Sequence, residues 1–301
     1  MLCGKMNIFA VVVTWRGLRW YDRCLGSLRC NGIQPIVVDN ASGDGSVEYI
    51  REHFPETIVL PQEENLGFAK ANNIGIRYAL DHGADYVLLL NQDAWLNGSD
   101  AIGKMIRTFN DNPSAGIVCP INMNGRNCEM EKEYATDMPG DFVSDMFINK
   151  MKDHYKVNYI NAAVWLMNST CIRTVGGFDT SMFVHYGEDN NYCQRVIYHG
   201  FDILIDTTCT ACHDTESRAV SKKEYRSRSF KQDDLSRRIE WCNIMYDIDI
   251  DITIESTIHS IKRMRNTFRF KRAKEYAEQL DFYQKVKHSR EINKQKGMNW
   301  L

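Results

Sequence analysis

Proline is scarce, six in 301 residues, and 19 glycines are too few for a low-complexity linker or a collagen repeat. No apolar run approaches the roughly 20 residues of a spanning helix. The longest are Ile8–Val13 and Tyr86–Leu90. The first residues lack the basic start, apolar stretch and small-residue site of an export signal, so the expected compartment is the cytoplasm. Two phosphate-binding fingerprints are also missing. No G-x-G-x-x-G follows the first apolar run, which argues against a dinucleotide dehydrogenase. No G-x-x-x-x-G-K-[ST] occurs, which argues against a P-loop NTPase. What is present is ordinary: 44% hydrophobic and 25% charged residues. That balance excludes a disordered chain and a coiled-coil rod. The length suffices for one large α/β domain with a sizeable core, plus a helical extension.

The net charge of −2 hides a division. Residues 1–221 hold 18 Lys/Arg against 27 Asp/Glu, a net of −9, and residues 222–301 hold 19 against 12, a net of +7. The acidic body is a poor nucleic-acid binder, and nucleic acid is not an expected partner. Ten cysteines in a cytoplasmic chain are expected reduced and mostly buried. Cys209 and Cys212 with His213 spell C-x-x-C-H. Haem attachment requires export and zinc requires a second ligand pair, so both cysteines read as chance residues on a strand.

Asn7–Thr14 is a continuous β-branched run, as in a strand buried on both faces. Strands are also expected at Pro35–Asp39, Thr57–Leu60, Asp85–Leu90 and Ala115–Pro120. Helical spacing separates them at Tyr21–Leu28, Ser46–His53, Gly67–Asp81 and Asp100–Asn110. This alternation predicts an α/β fold with a doubly wound, mostly parallel sheet and helices on both faces. Residues 122–157 lose the rhythm and read as an excursion. Order returns at Tyr159–Met167, a helix from Thr170, a turn at Gly176–Asp179, a helix at Glu188–His199 and a strand at Asp202–Asp206. From about Lys222 the chain reads as a helical extension, giving expected domains of 1–221 and 222–301.

Ligands of an open parallel sheet bind beyond the carboxyl ends of its strands. Those ends carry Thr14-Trp15, Asp39-Asn40, the stretch Asn65–Ala69, and Asn91-Gln92-Asp93, which should converge on one crevice. Without a glycine cradle, a nucleotide bound there needs a metal for its phosphates.

Seven strings then resemble a known family in its own order: Val11–Trp15 (VVVTW), Val37–Ser46 (VVDNASGDGS), Asn65–Gly75 (NLGFAKANNIG), Leu89–Ala94 (LLNQDA), Gly176–Asp179 (GGFD), Gly187–Arg195 (GEDNNYCQR) and His213. The chain resembles family 2 glycosyltransferases of the GT-A fold, in the branch of rhamnosyltransferase-like enzymes. The resemblance implies that Thr14, Trp15 and Asp39 surround the base, with Asp39 accepting from N3–H of uracil or thymine. Asn65, Phe68, Ala69, Asn72 and Asn91 line the donor pocket. Asp93 and His213 hold Mg²⁺ or Mn²⁺. Glu188 and Asp189 form the catalytic pair, with Asp189 the base. Gly177, Phe178 and Asp179 face the acceptor, and Trp165 is placed with them, Trp165 and Phe178 reading equally as core residues. The implied reaction is inverting transfer from a UDP- or dTDP-sugar to a saccharide, lipid-linked in cell-envelope polysaccharide synthesis. Departures from the family pattern fall at Arg16, Asn91, Asn191, Tyr192 and Asp214–Ala219.

The chemistry suits such residues. A cation neutralises the departing diphosphate, and a carboxylate opposite it deprotonates the acceptor hydroxyl. Plainer roles exist for each: a turn cap for Asp39, a helix cap for Asp93, first-turn acids for Glu188 and Asp189, a core or surface histidine for His213. A nucleotidyltransferase of related fold and a non-catalytic scaffold are the rival readings. In the extension, Ile254, Ile258, Ile261, Met264 and Phe268 form an apolar stripe beside many basic residues. It is expected either to bring the chain peripherally to an anionic membrane face or to pack on the body or a second subunit as a homodimer.

Overall fold

A computed structural model describes residues 6–184, 186–217 and 234–301. The β-branched run forms strand β1 (Ile8–Thr14), with Phe9 to Val12 buried. It pairs in parallel with β2 (Gln34–Asp39) and with β4 (Tyr86–Leu90), and β3 (Ile58–Pro61) adds to β2 in parallel. Alternate residues of a strand serve opposite faces. Phe9 and Val11 pack with helix α3 (Gly67–Asp81), while Ala10 and Val12 pack with α1 (Tyr21–Cys30). Helices cover both faces, which explains why the strand is apolar throughout. A Cβ on Gly75 would collide with the Val11 side chain, so glycine there sets how closely α3 lies on the sheet.

Helix α2 (Ser46–His53) and α4 (Ala101–Asp111) pack on the α1 side through Ile50, Met105 and Phe109. Beyond β4 the nine-stranded sheet becomes mixed, in the order β3-β2-β1-β4-β8-β6-β9-β5, with β7 on β9. β8 (Val164–Asn168) runs antiparallel to β4 and to β6 (Ala115–Asn124). β9 (Asp202–His213) is parallel to β6, and β5 (Ala94–Leu96) and β7 (His154–Val157) are antiparallel to β9. The doubly wound, mostly parallel expectation holds in that parallel ladders carry most of the pairing. Two details differ. The polar stretch after β4 contains β5, and the irregular excursion contains α5 (Lys132–Thr136), α6 (Gly140–Phe147) and β7. Such short elements leave too little periodicity to read.

After β8 come α7 (Ser169–Val175) and α8 (Glu188–Tyr198), both on the α3 side of the sheet. Helix α9 covers residues 234–242. The extension ends in a hairpin of α10 (Ile250–Asn266) and α11 (Phe270–Asn293). Its base packs through Ile250 and Val286 on Met182, Phe183 and Cys242. The final residues return to the body. Gly177 N donates to Asn299 O at 2.8 Å, Asn73 Nδ2 donates to Trp300 O at 3.0 Å, and Leu301 packs against the α3-side core. The expected boundary at 221/222 and the last two residues of Asp214–Ala219 lie outside the described residues.

Candidate active site

The carboxyl ends of β1, β2 and β4 lie side by side in the parallel sheet. Thr14 is buried, its hydroxyl sharing a hydrogen bond with Tyr21 Oη. Trp15 projects, 48% exposed, and its N–H donates to Gln92 Oε1 at 2.9 Å, tying the end of β1 to that of β4. Asp39 accepts from Ser42 N at 3.1 Å and Ser42 Oγ at 2.5 Å. The carboxylate therefore caps its own turn, and the plainer role is realised. Asn65 Oδ1 accepts from Gly67 N at 3.0 Å and starts α3. Ala69 and Asn72 are buried on that helix, Asn72 Nδ2 donating to Phe68 O at 3.0 Å.

The cation ligands expected from sequence come together through a pairing that the sequence did not reveal. β5 runs antiparallel to β9 with Ala94 opposite His213, and Asp214 N donates to Asp93 O at 2.9 Å. His213 Nε2 thereby lies 3.6 Å from Asp93 Oδ1 and 3.3 Å from Asn91 Nδ2. Its Nδ1 lies 3.1 Å from Glu131 Oε2. Glu131 is buried, and its Oε1 has no hydrogen-bond partner among the described residues. Burial by itself would lower the His213 pKa, but the hydrogen bonds with Asp93 and Glu131 raise it on balance. Two buried carboxylates beside one imidazole form a site that favours added positive charge. Two donors 3.6 Å apart can share one ion at metal–ligand distances of about 2.1 Å. No third side chain converges: among the described residues no group of three His, Cys, Asp or Glu could hold a metal. Mg²⁺ and Mn²⁺ fit such a sparse set, because phosphate and water oxygens complete their shells.

Glu188 and Asp189 begin α8, in its first turn. Asp189 is half-buried; its Oδ2 accepts from Tyr159 Oη at 3.1 Å and its Oδ1 from Asn190 N at 2.8 Å. Burial raises its pKa, against those hydrogen bonds. Burial pushes Glu188 up to about 7, and its Oε2 has no partner among the described residues. Asp137, from the excursion, is pushed up to about 6 by burial and then by the nearby charges of Asp189 and Glu131. Glu131, Asp137 and Tyr159 were not found by sequence reasoning. For Glu131 and Asp137 the one signal was a concentration of acids in a stretch without helix or strand period; Tyr159 had none.

The four residues expected at the acceptor are interior. Trp165, Phe178 and Tyr192 form a buried aromatic cluster, with ring centroids 4.9 to 6.3 Å apart. Gly177 lies against Asn73 and Leu301, and its carbonyl accepts from Arg195 Nη1 at 2.7 Å. Asp179 is fully buried, accepting from Ser289 Oγ at 2.5 Å and Asn293 Nδ2 at 2.9 Å. The GGFD turn thus joins α3, α8 and α11. The C-terminal hairpin, absent from the resemblance, claims the carboxylate. Cys209 packs in the α1-side core, whereas Cys212 Sγ lies 3.4 Å from Asn97 Oδ1.

Residues 10–167 match the profile of Glycosyl transferase family 2, just over half the chain. The chain belongs to glycosyl transferase family 2. Over 221 residues it is 22% identical to a dTDP-rhamnosyl transferase, RfbF, of Shigella flexneri, covering 71% of each chain. Over 209 residues it is 28% identical to a pre-mycofactocin glycosyltransferase of Mycobacterium tuberculosis, covering 66% of this chain and 40% of that one. Among solved structures it is similar to a mannosyltransferase of Pyrobaculum calidifontis in complex with GDP-Man and Mn²⁺, with a TM-score of 0.57 and 13% identity over 97% of this chain and 88% of that one. GalNAc-T7 with UDP, GalNAc and Mn²⁺ gives a TM-score of 0.56 at 13% identity, over 70% of this chain and 44% of that one. The fold is GT-A, and the chemistry of the family is glycosyl transfer from a nucleotide sugar. Membership sets the nucleotidyltransferase reading aside. No helix among the described residues is long and apolar enough to cross a membrane.

Proposed function

We propose that this chain is an inverting glycosyltransferase that uses a UDP- or dTDP-sugar and a divalent cation. The observation that carries the reading is the β5–β9 pairing, which sets Asp93 Oδ1 3.6 Å from His213 Nε2 at the crevice end of the sheet. Asp39, Thr14 and Trp15 receive the base. Asn65, Phe68, Ala69, Asn72 and Asn91 border the rest of the donor. Asp93 and His213 hold Mg²⁺ or Mn²⁺, which neutralises charge on the diphosphate as it leaves. Glu131 orients the imidazole through Nδ1, keeping Nε2 toward Asp93.

Asp189 takes the proton of the acceptor hydroxyl, and the acceptor oxygen attacks C1 from the face opposite the nucleotide. Burial raises the pKa of Asp189, which makes it a stronger base while Tyr159 holds its orientation. Nearby carboxylates also stabilise the positive charge that develops on the sugar ring. The dTDP-rhamnosyl transferase relative supports a dTDP-sugar among the donors; the acceptor is read as a saccharide, a lipid-linked intermediate of cell-envelope polysaccharide. The basic extension supports a peripheral position at the cytoplasmic membrane face.

Thermal unfolding with UDP, dTDP and GDP, each with and without Mn²⁺, tests the reading. UDP or dTDP with Mn²⁺ should raise stability by about 2.7 kcal/mol at a hundredfold excess over Kd. Asp93→Ala should keep the fold and lose the Mn²⁺ dependence. Equal, metal-independent stabilisation of that variant would remove Asp93 from the site.

A further inference from the structure

The C-terminal hairpin divides its chemistry along its length. Its base holds Asp249, Asp251 and Glu255, and Lys287 pairs there with Asp251 at 2.6 Å. From Ser256 to Lys274 there is no acid, and seven Lys/Arg lie between Lys262 and Lys274, all exposed. None of the seven joins an ion pair among the described residues. The apolar stripe is only partly available. Ile261, Met264 and Ala273 are buried where the helices face each other, so α10 offers no continuous apolar side to a surface.

The apex differs from the shaft. The C-terminus of α10 closes with Phe268 N donating to Arg265 O and Arg269 N to Met264 O, both at 3.1 Å or less. This arrangement places one residue in the left-handed region, a position that glycine fills without strain. Here it is Phe268, at φ 56 and 81% exposed. Phe270 beside it is 63% exposed, and the two rings meet edge to face at 6.1 Å. A strained position occupied by an exposed aromatic gains nothing for the fold. At about 1.5 Å per residue, the apex stands roughly 18 Å beyond Phe282, which packs at the hairpin base. Among the described residues, no hydrogen bond, ion pair or ring contact joins residues 258–280 to the catalytic body.

We propose that this apex is a membrane anchor: Phe268 and Phe270 enter the headgroup layer of an anionic bilayer while the surrounding Lys and Arg side chains meet its lipid phosphates. The occupant follows from charge complementarity and from size. A specific protein partner needs about 800 Å² of matched surface on each side. Two rings at a narrow tip do not supply it, but a bilayer accepts a small wedge without shape matching. The proposal sharpens the peripheral position in the functional reading above and rests on it only for the choice of membrane. Vesicle binding requires no glycosyl transfer, so the two fail separately.

The experiment is co-sedimentation of the full chain with vesicles of phosphatidylcholine, alone or mixed with phosphatidylglycerol, at low and high salt. Binding is expected only to the mixed vesicles and should weaken at high salt. Each basic residue near the surface contributes about fivefold to partitioning, so R269E/K271E/R272E should abolish it. Phe268→Gly places glycine in the left-handed position. It should hold or raise the melting temperature and weaken vesicle binding about tenfold. Phe147→Ser, at a residue 81% exposed on the body, should leave binding unchanged. Three results would overturn the anchor: salt-independent or equal binding to both vesicles, full binding by the triple variant, or a loss with Phe147→Ser matching that with Phe268→Gly. Sedimentation velocity supplies a fourth: a wild-type dimer that becomes monomeric on Phe268→Gly would make the apex a self-association surface.

Discussion

The two halves of the sheet are built differently. From β3 to β4 every pairing is parallel, β1, β2 and β3 are each followed by a helix, and the residues assigned to the donor sit at strand ends. From β8 to β5 neighbours come from distant parts of the chain, antiparallel and parallel pairs alternate, and the site is assembled by pairing. Asp93 and His213 are 120 residues apart in sequence and meet because β5 lies on β9. The difference separates two tasks. The local half carries the strand-end residues to which the proposal assigns the nucleotide. The non-local half is where Asp137, Glu188 and Asp189 lie, carboxyl groups whose pKa values burial raises, as the proposed reacting groups require.

If that division holds, changes in the two halves should affect different constants. The largest effect is expected at Asp189. Asp189→Asn should lower turnover by about 10²–10⁴-fold with donor affinity retained. A large loss with Glu188→Gln instead would move the base by one residue; if neither variant loses activity, the pair serves only the helix start.

The next effect tests whether the extension belongs to the body. Asp179 accepts from Ser181, Ser289 and Asn293 in the interior. Asp179→Ala should destabilise by about 3 kcal/mol, because buried donors lose their acceptor. Thermal melts and limited proteolysis would show it as early cleavage within residues 234–301. Unchanged melting together with loss of acceptor specificity would return Asp179 to the acceptor side.

On the local half, Asp39→Asn should raise the donor KM about tenfold, a loss of binding and turn order, with kcat nearly constant. An equal fall in kcat would dissolve the comparison, since both halves would then act on the chemical step.

The last effect, spread over several pH units, is a pH dependence. Glu188 holds its proton up to about pH 7 in the folded chain, while an unfolded glutamate releases it near the ordinary value of about 4.3. Between those values the folded state binds more protons, so stability falls as pH rises through the window. Glu188→Gln should therefore gain on wild type as pH rises through that window, by up to about 1.4 kcal/mol per pH unit, and differ little below it. Melting curves across the range would detect the crossover; a constant difference at all pH values would show that Glu188 ionises normally.

Sequence alone determined the fold class and the first four strands with their helices, and it named Asp93 and His213, which the fold brings within 3.6 Å of each other. It could do so because buried parallel strands are continuously apolar and amphipathic helices carry their period within one segment. The stripe at Ile261 and Met264 was legible for the same reason, but its partner was not. Tertiary structure alone decided the rest. β5 is three residues long, too short to carry a period, and only its partner β9 makes it a strand. Asp137 gains significance from the burial and neighbouring charge that raise its pKa, and Glu131 from the His213 imidazole it touches; neither environment is encoded locally. Asp179 sits in the family's motif, yet Ser289 and Asn293 of α11 enclose it. A carboxylate lies where its strongest donors are, and those donors come from more than a hundred residues away.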